Sequence, residues 1–164
     1  ICSSMKNNRL LIHTLFLLGV IIVQAYFPII YLGSVTISPD ITLVYISIMA
    51  ILFGRFTIIF LAFFLGLVQD LISQVALLGL FSFIKSLSAY LIGSINLHES
   101  VWNRKVKYIV LIATYFTHFF LYFYVVINDN ASWYVILQYS TLQSIFTFGI
   151  FWVLNTFILR RKLI

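Results

Sequence analysis

The chain contains few charged residues and lacks the composition of a soluble domain. Of its 164 residues only 9% are charged, whereas 63% are hydrophobic and the mean hydropathy is +1.11. Two prolines and a single cysteine, Cys2, exclude a proline-rich linker and a disulfide framework. A water-soluble globular domain is therefore excluded, and the composition is typical of an integral membrane protein.

Sequence motifs of enzymes are also absent. The chain has no HExxH, no GxGD or GxSG, no P-loop and no paired carboxylates at catalytic spacing. His13 and His98 have no Cys or carboxylate neighbours at metal-ligand spacing. We therefore predict a protein that is not an enzyme, with no catalytic residue, no metal and no cofactor. The net charge of +6 comes from small clusters beside apolar segments, so no nucleic-acid partner is predicted.

Apolar runs of about 20 residues, each long enough to cross a bilayer, recur from end to end. They predict an all-α bundle of six transmembrane helices in a single transmembrane domain, 1–164. The predicted spans are 10–32, 36–54, 56–75, 77–97, 107–127 and 133–159. The segment 1–9 is predicted to be cytoplasmic, and residues 1–4, which precede Met5, are interpreted as additional to the native start.

Basic residues predict the orientation of these spans. They fall in four clusters on one side, which are Lys6 with Arg9, then Arg55, then Arg104 with Lys105 and Lys107, and then Arg160, Arg161 and Lys162. The loops on the other side contain no Lys or Arg. By the positive-inside rule, both termini are predicted to face the cytoplasm.

The stretch Ser38–Pro39–Asp40–Ile41 has the composition of a helix start. Ser38 is the predicted cap, and Pro39 suits a first turn because its missing N–H needs no partner there. Asp40 complements the positive end of the helix dipole. A well-formed helix start therefore accounts for these residues without any further function.

Asp70 and Lys85 are ionisable residues that fall well inside the third and fourth predicted spans. Lys85 lies about 12 Å from the outer surface and Asp70 about 8 Å, at 1.5 Å of rise per residue. An unpaired ammonium at such a depth costs about 3 kcal/mol or more. The turn at Leu78–Gly79 makes the two helices antiparallel neighbours, so Asp70 and Lys85 are predicted to pair or to share a polar pocket. A structural ion pair, a substrate or proton site and a partner-facing role are the alternative interpretations.

The fourth predicted span carries a stripe of small side chains at a 3,4,3,4 spacing. Its members are Gly79, Ser82, Ser86, Ala89 and Gly93. Such a stripe permits close approach of another helix, either within the bundle or at a homodimer seam. Gly66 lies four residues before Asp70, so a close crossing at Gly66 would bring Asp70 to the same interface.

The segment 38–93 resembles the MreD family of bacterial rod shape-determining proteins. The matching features, in chain order, are Pro39–Asp40 before an apolar helix, Gly54–Arg55, Phe64–Leu65–Gly66–Leu67 followed by Asp70 and Ser73, Leu78–Gly79, and a small-residue helix that ends at Gly93. The resemblance implies a six-helix fold similar to the substrate-binding subunits of energy-coupling-factor transporters. It also implies a multi-pass protein of the bacterial inner membrane.

The resemblance further implies a non-enzymatic scaffold of the elongation machinery, which maintains cell shape by organising peptidoglycan synthesis. The implied partner is an MreC-like single-span protein, which connects indirectly to the MreB filament, RodA and a class B penicillin-binding protein. Membrane lipids are expected contacts. The candidate structural or partner-interface residues are Pro39, Asp40, Gly66, Asp70, Gly79, Lys85 and Gly93. In this interpretation the packing that shapes an outward-facing groove is maintained by Asp40, Gly66, Asp70 and Gly79, and Lys85 neutralises Asp70.

The alternative function is a vitamin-like ligand-binding subunit of an energy-coupling-factor type transporter. Polar residues within the spans are the candidates to line its cavity, and they are Asp70, Lys85, Tyr115, His118 and Gln143. The predicted outer loops are too short to form a lid over such a cavity. His118 shares a helix face with two tyrosines, and hydrogen-bonded structure is its preferred interpretation over a ligand or proton relay.

Overall fold

The computed structural model describes residues 19–24, 26, 30–32, 35–53, 55–73, 77–98, 100–127 and 132–158. These residues are mainly helical. The five helices that follow a short hairpin are α1 (Ile41–Leu52), α2 (Arg55–Ser73), α3 (Leu80–Leu97), α4 (Arg104–Val126) and α5 (Trp133–Val153). A π-helical segment, Leu154–Ile158, continues from α5. Residues 19–24 are also helical.

Two of these helices, α2 and α4, are long and apolar enough to cross a membrane. The apolar stretches in α1 and α3 are shorter, at Ile41–Ile51 and Leu80–Ile95. Helices α2 to α5 begin within three residues of the predicted spans, because long apolar runs and their flanking turns are local signals. The segment 1–9 that is predicted to be cytoplasmic, including residues 1–4, and most of the predicted span 10–32 lie outside the described residues.

An antiparallel hairpin precedes α1, where the sequence predicted two continuous helices. Strand β1 (Ile30–Leu32) pairs with β2 (Val35–Ile37), with Ile30 opposite Ile37. The predicted spans 10–32 and 36–54 are therefore wrong at these residues. The β-branched run in β2 favours a strand, and Pro39 biases the residue before it toward an extended backbone. Helix α1 keeps only 12 residues, about 18 Å, which is shorter than the ~30 Å hydrocarbon core of a bilayer.

The cap of α1 also differs from the prediction. The N-cap is Asp40 rather than Ser38, and its Oδ1 accepts a hydrogen bond from Leu43 N at 2.9 Å. Pro39 precedes the cap instead of occupying the first turn. The helix begins later because the backbone is still extended at Asp40, with φ −89° and ψ 94°, and becomes helical at Ile41.

Helices α2 and α3 make the closest helix contact, as the small-residue stripe predicted. A Cβ atom placed on Gly66 would lie 2.5 Å from Ser82 N and 2.7 Å from the carbonyl carbon of Phe81, so only glycine fits there. The predicted turn between the two helices is present, and Gly79 adopts a φ of 100°, which favours glycine. Of the stripe, Ser82 and Gly93 thus pack against α2 within the chain, at Gly66 and at Arg55.

Candidate functional site

The segment that links β2 to α1, residues 38–41, has Pro39 and Asp40 buried and Ser38 exposed, and we call it the junction. Its backbone is not helical, so its N–H and C=O groups need partners from elsewhere in the chain. Gln24 supplies two: its Oε1 accepts from Ile41 N at 2.6 Å, and its Nε2 donates to Pro39 O at 3.5 Å. Residue 24 therefore ties the first helical stretch to the start of α1.

Helix α5 supplies the remaining partners of the junction. The Gln143 side-chain amide pairs with both backbone groups of Ser38, donating to its carbonyl at 2.7 Å and accepting from its N–H at 3.2 Å. Thr147 Oγ1 accepts from Asp40 N at 3.4 Å. Three polar side chains from distant parts of the sequence therefore stabilise an irregular backbone that could not be buried without them.

Lys85 is the centre of a buried polar group beside the junction. We define the Lys85 cluster as Asp40, Thr42, Gln69, Lys85 and His118. The Lys85 Nζ lies 2.9 Å from Asp40 Oδ2 and 3.0 Å from Asp40 Oδ1, and it also donates to Thr42 Oγ1 and Gln69 Oε1. Its side chain is 0% exposed. An ammonium has three N–H groups, so the three partners satisfy it fully.

Asp40 serves as both a helix cap and a counter-ion. Its Oδ1 accepts from Leu43 N and, at 2.5 Å, from the Thr42 hydroxyl. Its Oδ2 faces Lys85 and lies 3.5 Å from His118 Nε2. One buried carboxylate thus connects the start of α1 to α3 and α4. Removing it would leave the start of α1 without its cap and the Lys85 ammonium without a counter-ion.

His118 is held between Asp40 and α3. Its Nδ1 lies 3.1 Å from Ser88 Oγ, and that hydroxyl also lies 2.9 Å from Ile84 O. The Ser88 hydroxyl donates its proton to Ile84 O, and a ring proton on His118 Nε2 would face Asp40 Oδ2 at 3.5 Å. The predicted hydrogen-bonded structural role of His118 is confirmed, although its partners are Asp40 and Ser88.

The predicted ion pair between Asp70 and Lys85 is wrong. Asp70 is 2% exposed and accepts from the first residues of α3 and the turn before them: Gly79 N at 3.2 Å, Phe81 N at 3.0 Å, Ser82 N at 3.2 Å and Ser82 Oγ at 2.9 Å. The N-terminus of a helix has unpaired N–H groups and a partial positive charge. These donors stabilise the Asp70 carboxylate, so Lys85 pairs with Asp40 instead.

The seven candidate residues lie in three places. Pro39, Asp40 and Lys85 meet at the junction and its cluster, whereas Gly66, Asp70 and Gly79 form the α2–α3 turn contact. Gly93 packs near the other end of α2, where an added Cβ would lie 3.0 Å from Arg55 Cγ. The sequence interpretation missed the roles of Gln24, Thr42, Gln69 and Thr147, although a polar side chain within an apolar run was an available signal.

The polar residues proposed to line a transport cavity are buried in the packed interior. Asp70, Lys85, Tyr115, His118 and Gln143 are each at most 4% exposed. Lys85 and His118 contact Asp40, Asp70 caps α3, Gln143 pairs with Ser38, and the Tyr115 hydroxyl donates to Ser47 Oγ at 2.9 Å. These groups therefore bind other parts of the protein.

A cavity of about 280 Å³ opens beside the Lys85 cluster, between residues 21–24, α1 and α2, and we call it the side pocket. The described residues that line it are Ile21, Gln24, Thr42, Leu65, Val68, Gln69, Ile72 and Ser73. The pocket is thus lined by Gln24, which bonds the junction, and by Thr42 and Gln69 of the Lys85 cluster.

Comparison with known proteins supports the resemblance found in the sequence. The family model described as rod shape-determining protein MreD matches residues 4–162. No match was found among curated proteins or among solved structures. The matched region includes every residue of the junction, the Lys85 cluster and the α2–α3 turn.

Proposed function

Because the chain belongs to the MreD family of rod shape-determining proteins, we propose that it acts as a non-enzymatic scaffold in the bacterial inner membrane. The family gives it a role in rod shape determination. In the proposed role the protein is multi-pass with both termini in the cytoplasm. It binds an MreC-like single-span protein, which connects it to the MreB filament, RodA and a class B penicillin-binding protein during peptidoglycan synthesis.

The proposal rests on one observation, which is that the buried ionisable groups bond to other parts of the protein. Membrane proteins that move ions or substrates present such groups to a cavity or pathway. Here Lys85 is 0% exposed with all three N–H groups engaged, and Asp70 caps α3. These charges stabilise the arrangement of helices, which favours a rigid framework that presents its outer surface to partners.

A row of aromatic side chains on α2 is the surface that we assign to the partner. Phe56, Phe60 and Phe64 are 79%, 66% and 62% exposed, and their spacing of four places them on one face. We call them the phenylalanine row. Rigid rings provide a large contact area at little cost in side-chain entropy, so the row suits packing against a single apolar helix.

Affinity purification from the native membrane in a mild detergent, followed by mass spectrometry, tests the proposal. We expect the wild-type protein to recover a single-span periplasmic coiled-coil protein together with cell-wall synthases. The variant Phe60→Ala with Phe64→Ala is expected to lower that recovery about tenfold or more, because buried aromatic contacts dominate interfaces. The control, Ile109→Ala with Ile112→Ala, changes residues that are 65% and 51% exposed on α4 and is expected to have no effect.

Two outcomes would contradict these assignments. Recovery of an ATPase pair and a bound small molecule with the wild-type protein would contradict the scaffold function and support the transporter-subunit function. If the wild-type protein and the phenylalanine variant recover equal amounts of the partner, the partner does not bind the phenylalanine row on α2.

A further inference from the structure

The side pocket presents an unpaired hydrogen-bond donor. Gln69 Oε1 accepts from Lys85, so the side-chain oxygen is already used within the cluster. Its Nε2 donates to no other residue within the part of the chain that the structure describes, and Gln69 lines the pocket. The amide has two N–H groups that have no acceptor among the described residues, so an acceptor oxygen on a ligand in the pocket would complement Gln69.

The acceptor that fits is uncharged. The described lining of the side pocket contains no Lys, Arg, Asp or Glu. Lys85 lies behind Thr42 and Gln69, and its three N–H groups are all engaged. A phosphate or carboxylate would lose its hydration there without gaining a cation, whereas a carbonyl oxygen needs only the amide donor.

The α2 residues that line the pocket are apolar toward the middle of the helix, whereas toward its end the polar Gln69 and Ser73 flank Ile72. It follows α2 from Leu65 to Ser73, which is about 12 Å at 1.5 Å per residue. Leu65 and Val68 line the end toward the middle of the helix, whereas Gln69 lies about 6 Å from the end of α2. A helix of 19 residues matches the hydrocarbon thickness, so a bilayer spanned by α2 would have its ester groups about 6 Å beyond the Gln69 backbone, within reach of a lipid that lies along the pocket.

We propose that the side pocket binds one ester-linked phospholipid of the surrounding bilayer. Its acyl ester carbonyl accepts a hydrogen bond from Gln69 Nε2, and the acyl chain lies against Leu65 and Val68. The charged headgroup extends past Ser73 into the interfacial region. This inference does not depend on the scaffold function, and its experiment needs no partner protein.

Photolabelling of the purified protein tests the position of the site. The protein is reconstituted in vesicles of phosphatidylglycerol that contain a trace of the same lipid with a diazirine in one acyl chain, and the labelled peptides are mapped by mass spectrometry. We expect labelling of the α2 residues that line the pocket. Ile72→Trp, which fills the pocket, is expected to lower it about tenfold. Leu71→Trp is the control, because Leu71 is 66% exposed and does not line the pocket.

A competition experiment tests the chemistry of the site. An unlabelled diester lipid is expected to displace the label about fivefold better than the diether lipid with the same chains, which has no carbonyl, because one hydrogen bond is lost. Gln69→Glu keeps an oxygen for Lys85 but replaces the donating amide, so it is expected to abolish this difference. Elution of each variant as a single species confirms folding.

Three results would overturn the proposal. Equal labelling in Ile72→Trp and Leu71→Trp would show that the lipid contacts α2 without a specific site. Equal competition by the ester and ether lipids would show that the ester carbonyl does not contribute to binding. Labelling that disappears only when a second protein is present in the vesicles would assign the pocket to a partner helix.

Discussion

Replacing the two members of the Asp40–Lys85 pair tests which carboxylate neutralises the buried lysine. Asp40→Asn removes the charge but retains an oxygen that caps α1. Lys85→Met removes the ammonium and keeps an unbranched side chain of similar length. The perturbation is thus confined to the charges, which are separated by 2.9 Å between Lys85 Nζ and Asp40 Oδ2.

Each single change leaves an uncompensated buried charge. Such a loss costs about 3–5 kcal/mol in the free energy of unfolding. Lys85 has a 0% exposed side chain and Asp40 a 6% exposed one, so water cannot replace the missing partner. The double variant has neither charge and is expected to lose far less than the sum of the two single losses. We therefore expect a coupling energy of about 3 kcal/mol.

The assay is equilibrium unfolding in mixed micelles, followed by tryptophan fluorescence and helical circular dichroism. Asp70→Asn with Lys85→Met provides the matched control cycle, because Asp70 is bonded to the start of α3 instead. The coupling energy between Asp70 and Lys85 in this control cycle is expected to stay below about 1 kcal/mol. A larger coupling for Asp70 than for Asp40 would refute the assignment of Asp40 as the counter-ion.

The same unfolding assay checks three further predictions. Gly66→Ala places a Cβ 2.5 Å from the α3 backbone and is expected to cost about 1–3 kcal/mol, whereas Gly149→Ala, which meets nothing within 4 Å, is expected to be neutral or slightly stabilising. Equal effects would contradict the close crossing of α2 and α3. Asp70→Ala leaves the N–H groups at the start of α3 without an acceptor and is expected to cost about 1–3 kcal/mol, and an unchanged unfolding midpoint would rule out this cap. Gln143→Leu leaves both backbone groups of Ser38 unpaired, with a similar expected loss of about 1–3 kcal/mol, and a variant as stable as wild type would show that the junction does not depend on α5.

The sequence was sufficient for features that depend on neighbouring residues. The long apolar runs located α2 to α5, and Leu78–Gly79 located the turn between α2 and α3. The small-residue stripe identified the helix that packs closely against Gly66. Apolar length, turn geometry and helix periodicity are local properties, so one sequence can reveal them. The order and spacing of the motifs also identified the family, which the match over residues 4–162 confirms.

Only the tertiary structure decided the partner of Lys85 and the position of Asp40. The nearer carboxylate in the sequence, Asp70, is satisfied by N–H groups that a neighbouring helix leaves unpaired at its first turn. Lys85 instead pairs with Asp40, 45 residues away, which reaches it because a hairpin delays the start of α1 until the chain is inside the bundle. Side chains of residues 24, 143 and 147 form hydrogen bonds with the backbone at the start of α1 and so stabilise it. Competition among buried donors and acceptors depends on which of them meet in space, so no local pattern could specify it.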